Sequence, residues 1–270
     1  MGNLETTRGN IQNRATELKV IPTLNTIIAK VFAILNNRDS SFSDLGDVVK
    51  HDQAISSKVI SIANSAYYSR GIEICSLQRA MINIGFEEVK GIIMCIVFME
   101  NMLKQLKLRE EDLFSLWKHS IYVASASKVL SEKMLIEDPQ KVYTAGLLHD
   151  IGKVVFYMDA DDYGEKLKQA QTLGKSITQM EYENFGTDHG TTGYAISIKW
   201  KFPPEFSQVI RSHHEQANGK HGPLVQLVGA ADRFSYAPNS VSGREGFILL
   251  KEKDAIANDM KNIMDLLRLV

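Results

Sequence analysis

Seven side chains of the kinds that hold metal ions recur between residues 119 and 232: His119, His149, Asp150, His189, His213, His214 and Asp232. They are densest in Ala145-Gly146-Leu147-Leu148-His149-Asp150-Ile151-Gly152-Lys153. Read as one helix, this stretch lines His149 up with Ala145, Gly146, Gly152 and Lys153, at the spacing of helix-surface neighbours. Gly146 and Gly152 have no side chain, so another helix or a ligand can come close there. That gain must offset about 1 kcal/mol for each glycine inside a helix. On a regular helix Asp150 points about 100° away from His149, so the two grip one ion only if it lies between them. His, Asp and Lys within five positions of an apolar segment need partners, because burying them alone costs several kcal/mol.

Imidazole and carboxylate are ligands that zinc, iron and manganese accept, and a carboxylate such as Asp150 can bridge two ions. A lone histidine on an apolar face is ordinarily a satisfied core residue. Here that account has to be repeated on five helical segments, which favours a shared polar site. A cation in it would relieve the burial of Asp150 and Asp232.

The elements that must carry these residues read as helices throughout. Pro22 starts one over Leu24 to Leu35, and Ser41 or Ser43 caps the next. Asp52 reads as the cap of a third, Ala54 to Tyr68, which Asn64-Ser65 interrupts near its end. Ile74 to Ile84 ends at Gly85, and Glu87 to Leu106 is long and apolar. No alternating strand pattern appears in this half. A charged stretch, Lys107 to Asp112, then marks a soft boundary, and His119 begins a helix with Val123, Ala126 and Leu130 on its inward face. Pro139 suits the first turn of the helix bearing His149 and Asp150. Ser176 caps the helix containing Glu181, and Gly186-Thr187-Asp188 leads into the one that begins at His189. Phe206, Val209, Ile210, His213 and His214 face one way, and Asp232 follows Val228 by four residues. Residues 243–270 form a further amphipathic helical pattern. The expected organisation is a polar frayed end (1–15), an N-terminal helical lobe (16–106), a second helical lobe (107–235) and a helical tail (236–270).

The 270 residues are 44% hydrophobic and 23% charged, with a net charge of −1. That balance is ordinary for a globular protein and argues against a broad surface for nucleic acid or anionic membrane. The longest apolar run, Gly91 to Met99, is short of the roughly 20 residues that span a bilayer. The first residues lack an apolar signal core. Cys75 and Cys95 form no CxxC and read as reduced thiols, so a cytoplasmic location is expected.

The order His, His-Asp, His, His-His, Asp resembles the HD superfamily of metal-dependent phosphohydrolases. The resemblance implies that His119, His149, Asp150 and Asp232 are the core metal ligands. His189, His213 and His214 match the extra ligands of two-metal members. Lys153 falls where those enzymes keep a phosphate-contacting lysine, so Asp150 and Lys153 are the candidate catalytic residues. The metal implied is one or two ions of iron, manganese or zinc. Pro22-Thr23-Leu24, Asp52, Ile62 to Tyr68, Arg79-Ala80, Gly85, Trp117 to Ser120, Glu181, Gly186 to His189, Trp200 and Pro203 narrow the likeness to the HDOD domain, an HD-related bacterial signalling module. This resemblance covers roughly Leu18 to Glu215 and implies an all-α, two-lobed architecture with an HD-type bundle as the second lobe. It implies a regulatory module with protein partners or a small-molecule or nucleotide ligand, and no nucleic acid or membrane partner. The alternative is an active phosphohydrolase or phosphodiesterase on a nucleotide or phosphate ester. His213-His214-Glu215 is followed by Gly222-Pro223 without the tyrosine of the Gly-Tyr-Pro motif, which speaks against cyclic-di-GMP hydrolysis.

Overall fold

The structure, a computed structural model, describes residues 30, 33–34, 37, 39–50, 53–65, 67–69, 71–97, 109–199, 202–215 and 221–268. The polar stretch 1–15, the start of a helix at Pro22, the cap at Asp52, the end of the long apolar helix over 98–106, and Trp200 lie outside these residues. Among the described residues every regular element is helical, as expected, and no helix is long and apolar enough to cross a membrane. The described residues of Leu106–Ile256 form one compact unit, and those of Val20–Gln105 with Ala257–Val270 form another.

The second of these units holds α1 (Phe42–Val49), α2 (Gln53–Ala63), α3 (Leu77–Ile84) and α4 (Phe86–Val97). Ser41 and Asp44 form a reciprocal capping box that starts α1. Leu45, Val49, Ile55, Val59, Ile62, Met81, Val89 and Ile93 fill its core. Helix α2 stops at Ala63 because Asn64 offers the backbone another partner. Its amide donates to Ile60 O (3.0 Å) and Ile74 O (2.7 Å), and its oxygen accepts from Ile74 N (2.8 Å). The Asn64-Ser65 interruption is therefore a clamp on the loop that leads to α3.

The other unit holds α5 (Glu110–Met134), α6 (Pro139–Leu148), α7 (Lys153–Asp159), α8 (Tyr163–Thr172), α9 (Ile177–Phe185), α10 (His189–Lys199), α11 (Pro204–Ser212), α12 (Pro223–Tyr236) and α13 (Gly243–Lys251). Helix α14 (Lys253–Arg268) begins here, so the single helical pattern of the tail is two helices with a break at Glu252. His119 does not begin a helix but lies well inside α5. The acidic residues 110–112 suit a helix N-terminus, where the macrodipole favours negative charge. Arg109 beside them donates from Nε to Asp112 Oδ2 at 2.6 Å. Asp138 caps α6 through Gln140 N and Lys141 N, with Pro139 in the first turn.

The helix expected across Ala145–Lys153 is interrupted. Helix α6 ends at Leu148, and the chain tightens to bonds three residues apart: Ile151 N to Leu148 O (3.1 Å), Lys153 N to Asp150 O (3.0 Å) and Val154 N to Ile151 O (3.3 Å). Packing accompanies the break. A Cβ on Gly152 would lie 1.9 Å from His189 O and 2.6 Å from Gly193 N, so α10 sits directly on this turn. Gly146 permits a similar approach to α5, where a Cβ would meet Ala124 Cα at 2.8 Å.

Candidate metal centre

The histidines and aspartates reach the centre mostly from helix ends. His149 is the C-cap of α6 and His213 that of α11, while His189 opens α10 and His214 follows α11. His119 and Asp232 come from within α5 and α12. Helix C-termini leave carbonyls without intrahelical donors. His149 Nδ1 meets Gly146 O at 2.6 Å, and His213 Nδ1 lies 3.1 Å from Ile210 O and 3.2 Å from Val209 O. His189 Nδ1 faces Glu181 Oε2 at 2.6 Å, and that oxygen also accepts from His189 N at 2.9 Å. Ser235 Oγ donates to Asp232 O (2.7 Å), so its oxygen is left to accept from His119 Nδ1 at 3.4 Å. In these four imidazoles Nδ1 faces an acceptor and Nε2 faces inward, the orientation of metal-ligating histidine.

All seven predicted ligands converge, in two overlapping sets. In the first, Asp150 Oδ2 lies 3.1 Å from His119 Nε2 and 3.3 Å from His149 Nε2, and Asp232 Oδ1 lies 3.1 and 3.5 Å from the same nitrogens. In the second, Asp150 Oδ1 lies 3.2 Å from His189 Nε2 and 3.6 Å from His213 Nε2. His214 Nε2 lies 2.9 Å from His189 Nε2, and its Nδ1 lies 3.4 Å from Asp232 Oδ2. Asp150 thus gives one oxygen to each set. The tightened turn after α6 lets it share a focus with His149, although the two are adjacent in sequence. Separations near 3.3 Å are those of neighbouring donors around one ion at about 2.1 Å.

Two observations fit a cation to this cluster. Asp150 Oδ1 and Asp232 Oδ1 are buried without a well-aligned hydrogen-bond partner, although imidazole nitrogens stand close by. Buried carboxylate oxygens without partners are costly. The inward nitrogens also crowd one another, with His119 and His149 Nε2 3.3 Å apart and His189 and His213 Nε2 at the same distance.

The charges are arranged accordingly. Burial would raise the Asp150 carboxyl, but His149, Lys153 and His119 outweigh it and hold it well below the carboxylate range. Asp232 is lowered in the same way, chiefly by His119 and His149 against burial. Burial lowers His149, yet Asp150 and Asp232 overcome it and push the imidazole up to about 10. Burial lowers His213 and His214, the latter also through His213, so both favour the neutral form that binds metal.

Lys153 is 2% exposed, and its Nζ donates to Asp150 Oδ2 and, at 3.3 Å, to Tyr236 OH. Three contributors have no place in the sequence reading, namely Ser235 behind His119 and two tyrosines. Tyr236 OH lies 3.1 Å from His119 Nε2. Tyr163 OH donates to Glu181 Oε1 at 2.5 Å, behind His189. Tyr236 could have been found, because it follows Asp232 by one helical turn. Tyr163 carries no such signal, since its partner stands 18 residues away on another helix. Solvent reaches the cluster at His119 and His214, whose side chains are 15% and 25% exposed, and along Tyr236.

A helical unit whose histidines and aspartates gather around one buried carboxylate has the donor types and spacing that could hold a divalent metal. The chain is a member of the HDOD domain family, whose model matches residues 21–216. Asp232 and Tyr236 lie beyond that match. An uncharacterized protein of Treponema pallidum is 22% identical over 226 residues, covering 81% of this chain. Ribonuclease Y of Oleidesulfovibrio alaskensis is 28% identical over 165 residues, covering 60% of this chain. The matched segments span 42% and 26% of those two proteins. Among solved structures, an HDOD domain protein of Geobacter sulfurreducens has a TM-score of 0.76 at 21% identity, over 97% of this chain and 99% of that one. A Shewanella amazonensis protein provisionally described as a metal-dependent phosphohydrolase has a TM-score of 0.61 at 23% identity, over 98% and 99%. These likenesses establish the fold.

Proposed function

We propose that this chain is a bacterial cytosolic signalling module whose HD-type centre binds divalent metal and, through it, a phosphate-bearing small molecule. The observation that carries the reading is the pair of buried carboxylate oxygens, Asp150 Oδ1 and Asp232 Oδ1, set among inward imidazoles without a well-aligned hydrogen-bond partner. His119, His149, Asp150 and Asp232 would hold one ion, and Asp150, His189, His213 and His214 a second. Such ions polarise phosphate oxygens and lower the pKa of a bound water. The chain's own part is to fix the ligands. Gly146 O, Ile210 O, Ser235 and Glu181 orient four imidazoles, and Lys153 supports the bridging carboxylate.

A second reading is hydrolysis of a phosphate ester. The straddling position of Asp150 favours it, because one carboxylate facing both donor sets would keep two ions close enough to stabilise the attacking and leaving oxygens together. The name ribonuclease Y and the provisional name of the Shewanella protein point the same way. The test is metal analysis of protein purified without added metal, then phosphodiesterase and phosphatase assays with manganese. Bound metal with turnover abolished in Asp150→Ala establishes hydrolysis. Bound metal without turnover leaves the binding module. Failure to hold metal even after loading refutes both.

A further inference from the structure

The sequence resemblance gives Lys153 the phosphate contact, but the structure places that ammonium behind the bridging carboxylate. Nζ is directed at Asp150 Oδ2 and at Tyr236 OH, and the residue is almost wholly buried. Tyr236 occupies the position in front. Its ring is 37% exposed as a residue and lies against His119, with centroids 4.7 Å apart, while its hydroxyl reaches inward. The hydrogens around that hydroxyl can be assigned. Lysine only donates, so Lys153 donates to the Tyr236 oxygen. With a metal bound, His119 keeps its hydrogen on Nδ1, toward Ser235 Oγ at 3.4 Å, and its Nε2 lone pair, 3.1 Å from Tyr236 OH, goes to the ion. His119 Nε2 is also one of the four donors of the first set. In that state the Tyr236 hydrogen has no acceptor on His119 and needs one at the mouth of the centre. Asp150 and Asp232 are turned to the ion in that state, so the natural acceptor is an anionic oxygen of a ligand on the ion.

We propose that Tyr236 is the residue that contacts the phosphoryl group, and that Lys153 is a positioning residue acting through it. The ligand class is a phosphate monoester or diester whose non-bridging oxygen accepts from Tyr236 Oη. This rests on the metal-centre reading above. Removing the hydroxyl leaves every metal ligand in place, so its effect falls on phosphate binding and not on metal binding.

The experiment titrates inorganic phosphate calorimetrically into the manganese-loaded full chain, wild type and Tyr236→Phe, with metal content and melting temperature measured on the same samples. The expected result is unchanged metal content and a phosphate Kd weakened about tenfold or more in Tyr236→Phe, the loss of one hydrogen bond to a charged group. Equal phosphate affinity in the two proteins overturns the assignment, as does metal-loaded wild type that binds no phosphate. A Tyr236→Phe protein that loses its metal also overturns it, since Tyr236 would then support the metal and not the ligand. A wild type that holds no metal sinks the metal-centre reading itself, a separate outcome read from the metal content alone.

Discussion

At the scale of single residues, the centre depends on groups that lie one shell out from the donors. Glu181 is wholly buried, accepts from both nitrogens of His189 that can reach it, and is itself held by Tyr163. Replacing Glu181 with Gln keeps the volume and removes the charge that sets the His189 tautomer. The expected result is an about 10- to 100-fold loss of affinity at the set containing His189, with the fold retained. Competition titration against a metallochromic chelator measures it. A second expectation concerns pH. In metal-free protein the His149 pKa stands at about 10, above the ordinary 6.5 that the unfolded chain has. A raised folded pKa stabilises the fold fully below the unfolded value and ceases to do so as pH climbs through the folded one. Metal-free protein should therefore lose stability steadily from pH 6.5 to about 10. Manganese-loaded protein should show a flatter profile, since the cation and not a proton then neutralises Asp150 and Asp232. Denaturant midpoints across that range decide it, and matching slopes in the two forms would count against the account.

At the scale of elements, the residue types were legible in the sequence, while their aim had to come from the backbone. Imidazoles and carboxylates on successive apolar segments signalled a common site, and every one of the seven reaches it. The regular helix read across Ala145–Lys153 misplaced Asp150, because helical spacing cannot register the tightened turn that follows Leu148. The start of α5 was set too late, because residues 107–112 read as a boundary when acidic side chains suit a helix N-terminus. The roles of Tyr163 and Tyr236 depend on contacts between helices, which periodicity does not report. Gly152 is where the turn and α10 meet. Gly152→Ala would drive a methyl into His189 O and Gly193 N. The expected cost is about 3 kcal/mol of unfolding free energy, at the upper end for overpacking, with displacement of His189. Chemical denaturation together with metal affinity tests this, and a variant as stable as wild type with full affinity would contradict it.

At the scale of the whole molecule, the cluster is a concentration of charge inside the helical unit formed by the described residues of Leu106–Ile256. A cation that binds the folded chain and not the unfolded one stabilises it by mass action, by about 2.7 kcal/mol at a hundredfold excess over Kd. Chelation should therefore lower the melting temperature of wild type, and should do nothing to Asp150→Ala, which lacks the carboxylate common to both donor sets. Asp150→Ala should also be less stable than metal-free wild type, because it removes the carboxylate to which the buried Lys153 ammonium donates. The most direct test of the central claim is the metal content of the full chain after manganese loading and removal of free ion by gel filtration. The account gives at least one ion retained per wild-type chain and none on Asp150→Ala. Wild type that elutes without metal, or Asp150→Ala that keeps as much, would contradict it.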